Sequence, residues 1–270
     1  MSFALDNRFD EARPMTSEGE RTAWIVFGFM VGLLVLAYGN MLWFTSTFWS
    51  DGLYSHGWIV PLIAAYLLWI RRRSFVEPLE SDRWIGVAVL VASQALRVWA
   101  SVYDFNIFDR LSFIGSLLAT TLIVGGRHML AWAGPALAFL LFMFPLPSFF
   151  ENTLLMSLQT VASKMSTFVL QLLGVGAARA GNVISIDTME DLTVAEACSG
   201  LRMLTIFGAM SVALVMIIER PWWDKLLILL SAVPIALVSN VVRIVTTGLL
   251  FLAFGQETVW LNTLIHDWAG

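Results

Sequence analysis

Charge is what this sequence is short of. Asp, Glu, Lys and Arg make up 13% of its 270 residues, where a soluble domain of ordinary composition carries about 25%. With 58% apolar residues and a mean hydropathy of +0.77, the missing charge points to lipid contact rather than to a larger core. Cysteine is almost absent too. The single Cys198 excludes an intramolecular disulfide and leaves cysteine usage silent on the redox compartment. No GxSxG elbow, no HExxH pair and no Walker-type glycine loop occurs, so no metal and no cofactor is expected. The net charge of −4 is small, and no basic cluster is interleaved with aromatics; no nucleic-acid partner is expected. Internal repeats and a second, soluble domain are also lacking.

What is there is a series of long apolar runs. At about 20 apolar residues per helical crossing, the chain has room for seven or eight spans. The expected fold is an all-α polytopic membrane protein with one amphipathic helix and a small extracytoplasmic hairpin. Residues 1–22 are polar and mixed in charge, and read as a cytoplasmic arm ahead of an integral membrane domain over 23–270. Spans are expected at 23–44, 56–70, 84–100, 111–126 and 129–144. The last of these is closed by Pro145 and Pro147, since prolines this close end a helix. Residues 151–173 show helical spacing of apolar residues interrupted by Gln159, Ser163 and Lys164. This is the pattern of an amphipathic helix lying on or dipping into the membrane; a full span is the alternative. Residues 174–196 are polar, and the alternation over 182–187 predicts a hairpin strand. Spans six and seven follow at 201–218 and 226–254, and 265–270 reads as the start of an eighth.

Lysine and arginine set the orientation. With the N-terminus inside, ten of them fall on inside segments, among them Arg71, Arg72, Arg73, Arg127 and Arg220. Only Arg110, Lys164 and Arg179 fall outside. The remaining three, Arg97, Arg202 and Arg243, lie within or at the ends of spans. Arg243 stands 17 residues beyond Leu226, about 26 Å up its helix at 1.5 Å per residue. That puts it near the outer leaflet, with Asn240 on the same face. Cys198, at the start of span six, and His266, after the outer loop, are expected at that level too. Charge inside a membrane is costly and marks a functional candidate.

A thiol placed so can be activated. The positive end of a helix and a nearby guanidinium both favour thiolate. Histidine can take the thiol proton and return one to a leaving amine, while arginine holds a developing oxyanion. Arg202, one turn below Cys198, is either that cation or a partner for Glu196. Read one at a time, the same residues have plainer meanings: a packing cysteine, snorkelling arginines, interfacial histidines at His56, His128 and His266, and tryptophans in interface belts. Their coincidence at one level is the signal. An aspartic pair of Asp104 and Asp109 is a weak alternative.

The residues that carry this pattern resemble those of the exosortase family, the bacterial relatives of archaeosortases, over most of the chain. Tyr54-Ser55-His56-Gly57, then Ile59-Val60-Pro61-Leu62, is similar to the family's second span. Phe144-Pro145-Leu146-Pro147 and Leu172-Leu173-Gly174-Val175 resemble the segment before the active site. Ala197-Cys198-Ser199-Gly200-Leu201-Arg202 is similar to its most specific motif, Asn240-Val241-Val242-Arg243 to its arginine motif, and His266-Asp267 with Gly270 to its histidine motif. The resemblance implies a protein-sorting transpeptidase with Cys198, Arg243 and His266 as catalytic residues. Arg202, Glu196, Asn240 and His56 are added as supporting candidates. It implies substrates that are exported proteins with a C-terminal signal: a short Pro-Glu-Pro-like motif, one membrane helix and a basic tail. An acceptor nucleophile or water completes the reaction. It further implies a bacterial inner membrane location, an extracytoplasmic active site and a link to exopolysaccharide production. Family members usually continue through another span after the histidine. The competing readings are a transporter with Arg97, Arg202 and Arg243 along a polar path, and a scaffold of a polysaccharide export system.

Overall fold

The computed structural model describes residues 15–50, 52–70, 76–186, 192–193 and 200–254. The chain divides into two units: Met1–Phe48 with Gly57–Phe144, and Trp49–His56 with Pro145–Gly270.

In the first unit, α1 (Ser17–Ala37) begins earlier than the expected span. Thr16 explains the start. Its hydroxyl accepts from the Gly19 N–H, and Glu18 and Glu20 occupy the first turn, where an N-cap and acidic side chains both favour a helix. The expected first span is also divided at Tyr38, after which α2 (Gly39–Phe48) follows. A 3-10 segment (Gly52–Trp58) crosses the boundary between the units and leads into α3 (Val60–Ile70). Then come α4 (Glu80–Val102) and α5 (Asn106–Phe139). The pairs Asp82 with Arg127, Gln94 with Ser116, and Arg97 with Asp109 run in opposite order, so α4 and the first part of α5 lie antiparallel.

α5 is broken where the fourth and fifth spans were expected to meet. Gly126 has φ +61 and ψ −160, far from helical values. A Cβ built on Gly125 would meet Met129 Cβ at 2.6 Å, whereas i and i+4 in a continuous helix stand about 5–6 Å apart; the chain bends sharply there. Asp82 holds the bend. Its carboxylate, 3% exposed, accepts from the Arg127 backbone N–H at 3.1 Å, from Nε at 3.1 Å and from Nη2 at 2.8 Å. A side chain at 126 would collide with it, since a Cβ would fall 2.8 Å from Asp82 Oδ2.

Hydroxyl and amide groups knit the other end of this unit. Tyr38 OH bonds Ser112 Oγ at 2.9 Å, and Gln94 Nε2 donates to Ser116 Oγ at 2.8 Å and to Tyr38 OH at 3.3 Å. Interhelical polar bonds of this type substitute for the hydrophobic effect that lipid does not supply. Arg97 belongs to the same cluster. Nη2 donates to the Ala37 carbonyl at 2.6 Å, Nε stands 3.7 Å from Asp109 and the guanidinium lies 4.0 Å over the Tyr38 ring. These partners account for Arg97 as a clamp and remove the motive for a polar path through it. Asp109 likewise sits in the first turn of α5, where it faces Arg97.

The second unit holds α6 (Ser148–Leu172), the strands β1 (Ala177–Ala180), β2 (Val183–Ile186) and β3 (Leu192–Thr193), then α7 (Leu201–Ile217) and α8 (Trp222–Phe254). The expected hairpin is thus part of a three-stranded antiparallel sheet in the order β1-β2-β3. Its first turn, Gly181-Asn182, has positive φ at glycine alone, the pattern of a type II′ turn. The core joins α6, the hairpin and α8 through Ala162, Leu170, Ile184, Ile186, Val241 and Ile244.

α6 does have two faces; of the residues that interrupt its apolar pattern, Gln159 and Ser163 point inward while Lys164 is exposed. Gln159, Ser163, Ser166 and Thr167 are buried, while Phe149, Phe150, Met156 and Phe168 are exposed. The hairpin explains the inversion. Asn182 Nδ2 donates to Gln159 Oε1 at 2.9 Å, and Arg179 Nη1 to Ser163 Oγ at 3.2 Å.

Among the described residues, five helical segments are long and apolar enough to cross a membrane: Ser17–Ala37, Leu53–Ile70, Glu80–Val102, Asn106–Met143 and Trp222–Phe254. The fourth contains the Gly126 break, and α7 is a shorter apolar helix. This is an all-α polytopic membrane protein with a small sheet. The segment read as an eighth span lies outside the described residues.

Candidate active site

The second unit gathers four stretches that are far apart in sequence. The closest meeting is at the start of α7. Gly200, its N-cap, has φ +67 and ψ −16, a left-handed conformation natural to glycine. A Cβ there would fall 2.9 Å from Asn240 Nδ2 and 3.3 Å from its Cγ. Asn240 itself is 1% exposed. Glycine is therefore required at 200 by both backbone and space, and the result is that α8 seats its asparagine against the turn that begins α7. Cys198 precedes Gly200 by two residues in the chain.

Arg243 lies one turn beyond Asn240 on α8, on the same face. It is half-buried. Its Nε is buried and has no hydrogen-bond partner among the described residues. A guanidinium has five donors in a fixed planar fork, so a group that brings oxygen to this point meets an unsatisfied donor.

Arg202 is engaged differently. It occupies the first turn of α7, and Nη2 donates to Ser55 Oγ at 3.2 Å. Ser55 belongs to the short segment Trp49–His56. Tyr54, beside it, is 4% exposed. Its hydroxyl donates to Glu151 Oε2 at 3.1 Å and accepts the Leu146 N–H at 3.1 Å. His56 follows, its ring 6.2 Å from that of Tyr54. Of the residues singled out from sequence, the structure thus brings Asn240 to the start of α7, sets Arg243 beside Asn240, and joins Arg202 to the segment that carries His56. Cys198, Glu196 and His266 lie outside the described residues, and with them the proposed pairing of Arg202 with Glu196. Sequence reasoning did not single out Tyr54 and Glu151 as site residues. The one available signal was the run of polar-capable side chains Tyr54-Ser55-His56, which names no partner.

Chemically, the arrangement offers the N-terminal turn of a helix, two guanidinium groups and a buried amide within one unit. Such a set suits an anionic or oxyanionic centre. Among the described residues no group of three or more His, Cys, Asp or Glu side chains gathers as a metal site would.

No curated protein and no solved structure matches the chain. The sequence profile described as transmembrane exosortase matches residues 43–270, which takes in every stretch assembled above. With most of its length so matched, the chain belongs to the transmembrane exosortase family.

Proposed function

We propose that this membrane-embedded sorting enzyme is a cysteine-dependent transpeptidase that cleaves C-terminal sorting signals of exported proteins at the outer face of a bacterial inner membrane. The Cys198 thiolate attacks the scissile carbonyl carbon, its proton having passed to His266. Arg243 donates to the oxyanion that forms. As the tetrahedral centre collapses, the carbon–nitrogen bond breaks, and His266 returns the proton to the departing amine. A thioester remains, which an acceptor nucleophile or water resolves, restoring the thiol. The substrate carries a short Pro-Glu-Pro-like motif, one membrane helix and a basic tail. A membrane helix delivers its flanking motif to the same level as the start of α7. The product belongs to surface and exopolysaccharide assembly.

The observation that carries this reading is the seat of Asn240 against Gly200, with Arg243 one turn along and its Nε without a partner among the described residues. It couples the stretch containing the lone thiol to the stretch containing a cation suited to an oxyanion. The test is chemical. Purified enzyme and a reporter bearing such a signal are incubated with hydroxylamine, which intercepts a thioester. The expected product is the reporter ending in a hydroxamate. Cleavage that yields only the free carboxylate, at hydroxylamine concentrations that trap model thioesters, contradicts an acyl-enzyme.

A further inference from the structure

We propose that Tyr54 and Glu151 are positioning residues, which act through Ser55 to hold Arg202 in place at the first turn of α7. The inference rests on the sorting-site reading for the reaction it affects.

The chain of contacts is continuous within one unit. Pro145 and Pro147 have no backbone N–H; Leu146 between them has one, and it donates to the Tyr54 hydroxyl at 3.1 Å. The same hydroxyl donates to Glu151 at 3.1 Å. The acceptor sits in the first turn of α6, a position that suits an acidic side chain. A phenol only 4% exposed needs such partners, because a buried hydroxyl left unbonded is costly. Tyr54 is therefore fixed from two sides, by the corner that precedes α6 and by α6 itself.

The backbone then turns that anchoring toward the site. Tyr54 departs from helical geometry, at φ −115 and ψ 18, in the middle of the 3-10 segment. That kink lets Tyr54 meet α6 while its neighbour Ser55 meets α7. Ser55 Oγ accepts from Arg202 Nη2 at 3.2 Å. Arg202 has a long flexible stem, and holding it in one geometry costs rotamer entropy; the bond to an acceptor on an anchored backbone offsets that cost. The Arg202 fork is aimed by an oxygen whose own place is set by Tyr54. Neither Tyr54 nor Glu151 takes part in the bond changes of the sorting reaction. Their effect is transmitted, and it should appear in the rate of reaction more than in substrate capture.

The experiment compares Tyr54→Phe, Glu151→Gln, Arg202→Ala, the double variant Tyr54→Phe with Arg202→Ala, and Cys198→Ala, each at matched amounts of folded protein. The probe is a reporter ending in a Pro-Glu-Pro-like motif, one apolar helix and a basic tail. Tyr54→Phe is expected to lower kcat by about tenfold with KM changed by less than about twofold, the size of effect that a misplaced site group produces. Glu151→Gln keeps an acceptor for the phenol and is expected to lose less than about threefold. In the Arg202→Ala background, Tyr54→Phe is expected to cost less than about twofold more, since groups acting in one chain are not additive. Wild-type kcat in Tyr54→Phe, or a loss that multiplies in full with that of Arg202→Ala, overturns the proposal. A purely structural role for Tyr54 would give that full multiplication. Wild-type cleavage by Cys198→Ala would sink the sorting-site reading instead, and it is read independently of the Tyr54 coupling.

Discussion

At Gly200 a methyl group has no room. Its backbone is left-handed and Asn240 Nδ2 stands 2.9 Å from where a Cβ would be. Gly181 has nearly the same φ, +65, with nothing within 4 Å of its Cβ position. The two glycines separate backbone strain from crowding. Strain alone costs about 1 kcal/mol at either. Gly181→Ala should therefore leave reporter cleavage close to wild type. Gly200→Ala, which also displaces Asn240, should lower it by about tenfold or more. Cleavage rates at matched membrane levels decide this, and equal rates in the two variants contradict the seat. The arginines differ in a similar way. Arg243 Nε is buried without a partner among the described residues, while Arg202 donates to Ser55. Lysine keeps the charge but not the planar fork, and a lysine at 202 still offers Ser55 a donor. Arg243→Lys is expected to lose most cleavage and Arg202→Lys to keep more of it. The reverse order would exchange the roles assigned to them.

Among the elements, α4 and α5 are joined at the Gly126 bend by one carboxylate, that of Asp82. Asp82→Ala leaves the Arg127 N–H and guanidinium without their acceptor. The expected result is a fall in Tm of about 5 °C, which follows from typical charged hydrogen-bond losses and the size of the chain. Tyr38→Phe removes a buried hydroxyl from Ser112 and Gln94 and should cost about 1 kcal/mol. Both belong to the first unit, so kcat of the folded fraction should stay near wild type. A kcat loss at Tyr38 as large as that at Gly200 would contradict the assignment of the site to the second unit.

The elements also show what the sequence could and could not tell. Apolar run length and paired prolines located the helices, and alternation over 182–187 located β2, because these are local periodicities. The bend at Gly126 was legible as a gap in hydropathy at Arg127 and His128. The start of α1 was mislaid because hydropathy ignores a cap such as Thr16. The inward polar face of α6 was not legible: helical spacing separates two faces but does not say which meets lipid. Nor was the Tyr54–Glu151 bond, between residues 97 apart, or the Arg202–Ser55 bond, between residues 147 apart. Such pairs depend on tertiary placement that no local pattern encodes. Arg243 was found because a charge within an apolar run stands out by itself.

Across the whole molecule, the account depends on which side of the membrane the start of α7 faces. We propose that the N-terminus lies inside, since ten Lys and Arg residues fall on one set of segments against three on the other, the bias of the positive-inside rule. A membrane-impermeant maleimide should then label Cys198 in intact spheroplasts, and with one cysteine in the chain no other site contributes. Labelling only after the membrane is breached would reverse the topology. The most direct measurement for the central claim is the processing of a reporter with a C-terminal motif, membrane helix and basic tail in cells whose enzyme carries Cys198→Ala. The account predicts that the reporter stays full length while the variant accumulates in the membrane at wild-type level. A fully processed reporter in those cells would contradict it.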